Sequence, residues 1–167
     1  MRLGLLLAGA CAVGLLAATA EAASPKKRRR APARRAAQAK PAEAQYLNGP
    51  RARPLPFSEA TRVNGVLYLS GQLGTDETFK LVPGGVRAET KRTLENIRRT
   101  LERHGSSLDH VFKCTVMLAD MAEWGAMNEV YVTFFKPDRM PSRSAFGVSG
   151  LALGARVEIE CWATGKN

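Results

Sequence analysis

Two residues near the end of this chain have the types and spacing to do chemistry together: Arg143 and Glu158. They lie in the stretch Met140 to Ala163, which reads as two strands joined by a small-residue loop, Ser149 to Ala155. In the first strand Ser144, Phe146 and Val148 alternate with Arg143, Ala145 and Gly147. In the second, Val157, Ile159 and Cys161 alternate with Glu158, Glu160 and Trp162. Strand side chains point to opposite faces at every second residue, so the two apolar sets are expected to share a face under helices. That leaves Arg143 and Glu158 together on the other face. A guanidinium and a carboxylate so placed form either an ordinary exposed pair, worth under ~1 kcal/mol, or an anion clamp beside a proton-handling acid.

Other chemistry is thinly supplied. There is no Gly-rich phosphate loop and no Ser-His-Asp set. His104 has no nearby Cys or Asp/His pair and suits a charge at a helix end, and His110 is no better placed. No Cys/His spacing suggests a metal. Cys114 and Cys161 both fall on the helix-facing side of expected strands. Buried free thiols are the expected state, although an exporting compartment would permit a disulfide.

The elements that must hold these residues follow from pattern. Asn64-Gly65 is a two-residue hairpin signal, with strands expected at Ala60 to Val63 and Val66 to Ser70. Ser70-Gly71-Gln72 breaks the second strand, and Gly71 permits a bulge or a close approach of the backbone to something else. Val86, Thr90, Thr93, Leu94, Ile97 and Leu101 recur at helical spacing, which predicts a helix over Val86 to His104. Val111 to Leu118 is a strand with Phe112, Cys114, Val116 and Leu118 on one face. Asp120 then reads as an N-cap, with Glu123 reaching back to it. The helix that follows runs to about Phe135 on a stripe of Trp124, Met127, Val130, Tyr131 and Phe134. The order is β-β-α-β-α-β-β, an α+β domain whose two helices cover one face of a mixed sheet.

The 167 residues allow one such domain, and the +10 net charge is unevenly spread. Ser24 to Arg53 carries ten bases against the single acid Glu43, which is +9 of the total. Ahead of it, Leu3 to Ala20 is an uncharged apolar run behind Arg2, followed by small residues. This pattern predicts a secretory signal over residues 1–22, cleaved after Ala22, and hence a periplasmic or secreted protein. The cluster Lys26 to Arg30 directly after the run pulls the other way, toward an uncleaved anchor or a cytoplasmic protein. A lipoprotein site at Cys11 does not suit its neighbours. Residues 23–54 read as a disordered basic linker. With no aromatic residue interleaved, it is expected to touch anionic surfaces non-specifically and to bind no specific nucleic acid. The folded domain is expected at 55–167.

In the folded part, Leu67-Tyr-Leu-Ser-Gly-Gln72, Thr93-Leu-Glu-Asn96, Lys113-Cys-Thr-Val116, Asp120-Met121, Asn128-Glu-Val-Tyr131, Pro141-Ser-Arg-Ser144 and Val157-Glu-Ile-Glu160 occur in one order and spacing. This set resembles the RidA (YjgF) family of reactive-intermediate imine and enamine deaminases, from about Leu55 to Ala163. The resemblance implies a chorismate-mutase-like fold and a homotrimer with clefts between subunits. It also implies a cofactor-free hydrolysis of a small 2-imino acid, or its enamine, to a 2-keto acid and ammonia. On it Arg143 matches the residue that binds the substrate carboxylate, and Glu158 the acid that positions water. Ala145 stands where Cys is frequent, and Phe57 where Tyr is frequent. Asn128 matches a cleft residue across the interface, and Ser70 and Gly71 the loop beside it. The competing expectation is a trimeric small-carboxylate-binding or scaffold protein without turnover, held at an anionic envelope surface by its basic tail.

Overall fold

A computed structural model describes residues 42–50 and 55–165. The expected signal segment, residues 1–22, and most of the expected linker lie outside the described residues. The strands are β1 (Gln45–Leu47), β2 (Ala60–Val63), β3 (Val66–Leu69), β4 (Gln72–Leu73), β5 (Val111–Leu118), β6 (Ser142–Gly147) and β7 (Val157–Thr164). The helices are α1 (Gly85–Arg103) and α2 (Trp124–Tyr131). One mixed sheet runs β1-β2-β3-β7-β5-β6, with β4 also paired to β7. The expected α+β architecture is therefore present.

One difference concerns the linker. Gln45–Leu47, assigned to it by composition, pairs antiparallel with β2, Tyr46 lying opposite Thr61. A three-residue edge strand carries too little apolar pattern to stand out from a Pro/Ala-rich segment. The beginning of the folded unit is further pinned by Glu59. Its carboxylate accepts from Arg103, from Thr100 Oγ1 at 3.1 Å and from His104 Nε2 at 3.0 Å. Burial works to raise the Glu59 pKa, but the hydrogen bonds from Arg103 and His104 prevail and hold it below the ordinary value of 4.5. The sign of the pH dependence follows. A depressed carboxylate pKa stabilises the fold above its unfolded value, and that stabilisation is lost as pH falls through the folded value. Glu59→Gln is thus expected to lower Tm by several degrees at neutral pH, about 1–3 kcal/mol for charged hydrogen bonds lost. The gap from wild type should narrow below pH 4.5, which thermal melts across that range would measure.

The core lies between the helices and one sheet face. Leu94, Ile97 and Leu101 of α1, Met127 of α2, Cys114, Val116 and Leu118 of β5, and Val157, Ile159 and Cys161 of β7 are fully buried there. The helical spacing read from the sequence is the buried face of α1, down to Thr90 and Thr93. Two local expectations fail. Phe112 does not join the core: the register shifts between Val111 and Lys113, so Val111 turns inward and Phe112 is exposed. Asp120 does cap, its Oδ1 accepting from Ala122 N at 2.9 Å. Glu123, however, does not reach back. It accepts from Arg156 Nε, at 2.7 Å and 2.8 Å, because the cap opens a 3-10 turn (Met121–Glu123) before α2 begins.

The cysteines are also corrected. Cys114 and Cys161, expected as free thiols, are bonded to each other. They are Cα partners on the antiparallel strands β5 and β7, their Cα atoms 4.2 Å apart. Facing residues on neighbouring strands share a side of the sheet, so the pattern that buried each one also brought them together.

Candidate active site

The strands expected to adjoin do not. β6 and β7 are separated by β5, which pairs parallel with β6 and antiparallel with β7. The parallel pair is reached by the crossover through α2. In that register Arg143 lies opposite Cys114, and Ala145 opposite Val116. Arg143 and Ala145 therefore belong to the helix-covered face, while Ser144 and Phe146 point to the open one. This reverses the expected parity of β6 and separates Arg143 from Glu158. The reason is position: β6 is the outer strand, so a long polar side chain on its covered face escapes past the edge of the short helix α2 instead of entering the core.

Arg143 is half-buried there and held from three sides. Its Nη2 donates to Asn128 Oδ1 at 2.9 Å. Its guanidinium carbon lies 4.5 Å from the ring centre of Tyr131 and 5.6 Å from that of Trp124. Trp124, Asn128 and Tyr131 are spaced i, i+4 and i+7, one face of α2. Contacts of a cation with an aromatic face contribute ~0.5–2 kcal/mol each. Burial pushes the Tyr131 phenol up to about 12, against the opposing pull of the Arg143 charge. No carboxylate pairs with Arg143 among the described residues. The exposed ion pair with Glu158, the first of the two readings of the sequence, does not form within a chain.

Glu158 stands on the open face, opposite Met117 on β5 and Leu73 on β4. Its carboxylate rests on Gly71: a Cβ built there would lie 1.9 Å from Glu158 Oε1. Gly71 is thus the close backbone approach its position suggested, and any other residue would displace the acid. Burial first, and the charge of Glu160 second, raise the Glu158 pKa above the usual carboxylate value. Ser70, beside Gly71, is turned away and donates from Oγ to Ser58 O at 2.7 Å. Phe57 is 52% exposed and lines the clefts on either side of this loop.

The expected site residues therefore fall into two half-sites on opposite faces of the sheet. Arg143, Ala145 and Asn128 form one; Glu158, Gly71, Ser70 and Phe57 lie at the other. The sequence reading missed Trp124 and Tyr131 as the seat of Arg143. Their spacing was visible, but aromatic residues at helical intervals read first as core. Around the second half-site the open face is aromatic. Tyr68 and Phe112 meet Trp162 edge-on, with ring centres 5.0 Å and 6.5 Å away.

Comparison with known proteins finds relatives in sequence and in structure. A sequence model described as endoribonuclease L-PSP matches residues 50–165. A mouse protein named 2-iminobutanoate/2-iminopropanoate deaminase is 44% identical over 109 residues, covering 65% of this chain and 80% of that protein. The RutC family protein UK114 of Drosophila melanogaster is 44% identical over 114 residues, covering 67% and 82%. The crystal structure of the yeast protein YEO7 superposes with a TM-score of 0.69 at 32% identity, covering 74% of this chain and all of the other. RidA from an Antarctic Psychrobacter superposes with a TM-score of 0.66 at 35% identity, covering 72% and 98%. The chain belongs to the endoribonuclease L-PSP family, the RidA (YjgF) proteins.

Proposed function

We propose that this protein hydrolyses 2-imino acids, or their enamine tautomers, to 2-keto acids and ammonia, in clefts completed by neighbouring copies of a homotrimer. The observation that carries the reading is the state of Arg143. An amide and two aromatic faces orient its guanidinium, and no carboxylate among the described residues of its own chain pairs with it. A guanidinium so fixed can accept a substrate carboxylate through two parallel bonds. Its own Glu158 lies through the sheet from it, so the acid must come from a second copy. The exposed face bearing Trp162, Phe112 and Phe146 supports such an assembly, because an apolar patch of that kind calls for a partner.

In the completed cleft Arg143 fixes the acid end of the substrate and thereby places the imine carbon, which is the entropic part of catalysis. Glu158 accepts a proton from water as the water oxygen bonds to that carbon, and the C=N electron pair moves onto nitrogen. That nitrogen takes the proton from Glu158, which gives the neutral aminol. Glu158 then carries the hydroxyl proton to the same nitrogen, so the C–N bond breaks, ammonia leaves and the carbonyl forms. Proton affinity above that of an ordinary carboxylate suits a group that must both take and return a proton.

The test is ammonia release from freshly generated 2-iminopropanoate, with and without the protein, across pH. The rate should rise with pH as Glu158 ionises, with its midpoint above the ordinary value of 4.5. Glu160→Gln removes a charge that resists this ionisation, so the rising limb should move to lower pH. A protein-independent rate would leave the scaffold reading standing; an unmoved limb would assign it to another group.

We also propose that the domain matures in an oxidising compartment, as an exported protein does. The Cys114–Cys161 bond supports this, since such bridges persist where thiols are not kept reduced. Alkylation of the protein in fractionated cells, before and after reduction, would test it.

A further inference from the structure

β3 and β4 pair with β7 one after the other, but not in one register. Tyr68 lies opposite Trp162 and Gln72 opposite Ile159, so a step of four residues on one side spans a step of three on the other. The extra residue makes a bulge at Ser70-Gly71, and the Glu158 carboxylate rests on Gly71. The near side of the bulge is tied to the start of the domain, Ser70 N donating to Glu59 O at 3.1 Å. On the far side β4 is two residues long, and the partner of its Leu73 is Glu158 itself. Two residues of ladder are too few to fix such a feature by themselves.

The far side is fixed by α1. Asn96 is half-buried, and its Nδ2 donates to Leu73 O at 2.9 Å and to Thr75 O at 3.0 Å. Those carbonyls flank Gly74, which packs on the same helix: a Cβ there would lie 2.6 Å from Glu89 Cα. Arg99 Nη2 donates to Asn96 Oδ1, so the amide is oriented with Nδ2 toward β4. Asparagine is a weak helix former. Here both donors of its amide are spent on the strand that borders the candidate acid.

We infer that Asn96 is a positioning residue for Glu158: by fixing β4 against α1 it keeps Gly71 against the carboxylate, which sets where that acid points and how little water reaches it. The effect on turnover rests on the deaminase reading; the effect on the acid itself does not. Without the two donations β4 is held by its short ladder alone. Gly71 then moves off the carboxylate and water enters, so burial disfavours the ionised form less. Glu158 ionises at lower pH and is less well aimed. The residues opposite it, Leu73 and Met117, are uncharged. The charge of Glu160, on its own strand, is untouched by the change. The displacement therefore reads hydration.

The experiment compares wild type with Asn96→Leu and Asn96→Ala, which lack the donors. Ser106→Ala serves as the control: it removes a bond from the turn after α1 to the far end of β7, Ser106 Oγ to Thr164 O at 2.6 Å. All three variants should lower Tm, but only the Asn96 variants should lose activity. Their kcat for 2-iminopropanoate should fall about ten- to a hundredfold, the scale set by moving a reacting group by about 1 Å. KM should stay within about twofold, because Arg143 belongs to the other half-site. Their rising pH limb should lie below that of wild type. Turnover that holds in the Asn96 variants, or falls equally in Ser106→Ala, overturns the inference. The Glu158 titration is also followed directly, by carbon NMR of carboxyl-labelled glutamate. If the wild type turns over no imine, the deaminase reading falls, and a lower Glu158 midpoint in the Asn96 variants still supports the positioning role. The same midpoint in wild type and both variants overturns it.

Discussion

Arg143→Lys is expected to lose roughly ten- to a hundredfold in kcat/KM while the fold is retained. The charge survives, but one ammonium cannot offer two parallel donors in a fixed plane. A lost charge-assisted hydrogen bond costs about 1.5–3 kcal/mol in the transition state, which sets that range. The seat is lost as well. The guanidinium donates to Asn128 and lies against Tyr131 and Trp124, whereas a shorter, rounder head satisfies these contacts poorly. The effect on Tm should be small, because β6 is the outer strand and Arg143 is only half-buried. Ala145→Cys serves as the contrast. It introduces a thiol beside Arg143 on the same face of β6 and should change the rate only modestly if the backbone there does the binding. Steady-state kinetics and thermal melts on both variants separate the roles. A lysine variant with wild-type turnover and a lowered Tm would mean that Arg143 is a structural residue and that the carboxylate clamp is elsewhere.

Reduction of the Cys114–Cys161 bridge should lower Tm by roughly 10 °C. The bond spans 47 residues of chain. On the chain-entropy model, closing a loop of that length removes about 4 kcal/mol of freedom from the unfolded state, and typical native bridges contribute ~2–4 kcal/mol. For a domain of this size that corresponds to roughly 10 °C. Both cysteines are fully buried on the covered face, so the reduced thiols would remain packed as small apolar side chains. Melting with and without a phosphine reductant therefore isolates the cross-link itself. Cys114→Ala with Cys161→Ala would fall further, through the space left in the core. The bridge also ties β5, whose register positions Arg143, to β7, which carries Glu158. Equal Tm in both states, with two thiols reacting after denaturation in the absence of reductant, would refute the bond.

Much of the local structure is legible in the sequence. Thr90, Thr93, Leu94, Ile97 and Leu101 repeat at an interval that only a helix turns to one side, and they are the buried side of α1. Asn64-Gly65 can adopt the turn that joins β2 to β3, and it does. Gly71 suggested a close approach, and the Glu158 carboxylate occupies that space. Gln45–Leu47 was not legible, because three residues in a basic, Ala-rich stretch have no period to detect. Phe112 misled for a related reason: alternation counts residues, and one bulged residue shifts the count.

The sequence by itself supplied the candidate groups: a guanidinium, a carboxylate and a glycine that lies beside it. It also determined the order of the elements other than the short strands β1 and β4, since helix and strand periods are local properties of the chain. What only the tertiary structure decided is which face each strand shows. Alternation divides Ser142–Gly147 into two sets but does not say which set is covered; the pairing of Arg143 with Cys114 on a third strand says it. That pairing put Arg143 under α2 and Glu158 on the open face, and it brought Cys114 to Cys161. The physical reason is that a strand's orientation is set by its neighbours' register and by the helix that covers them. Both are contacts between residues far apart in the chain, and no local period records them.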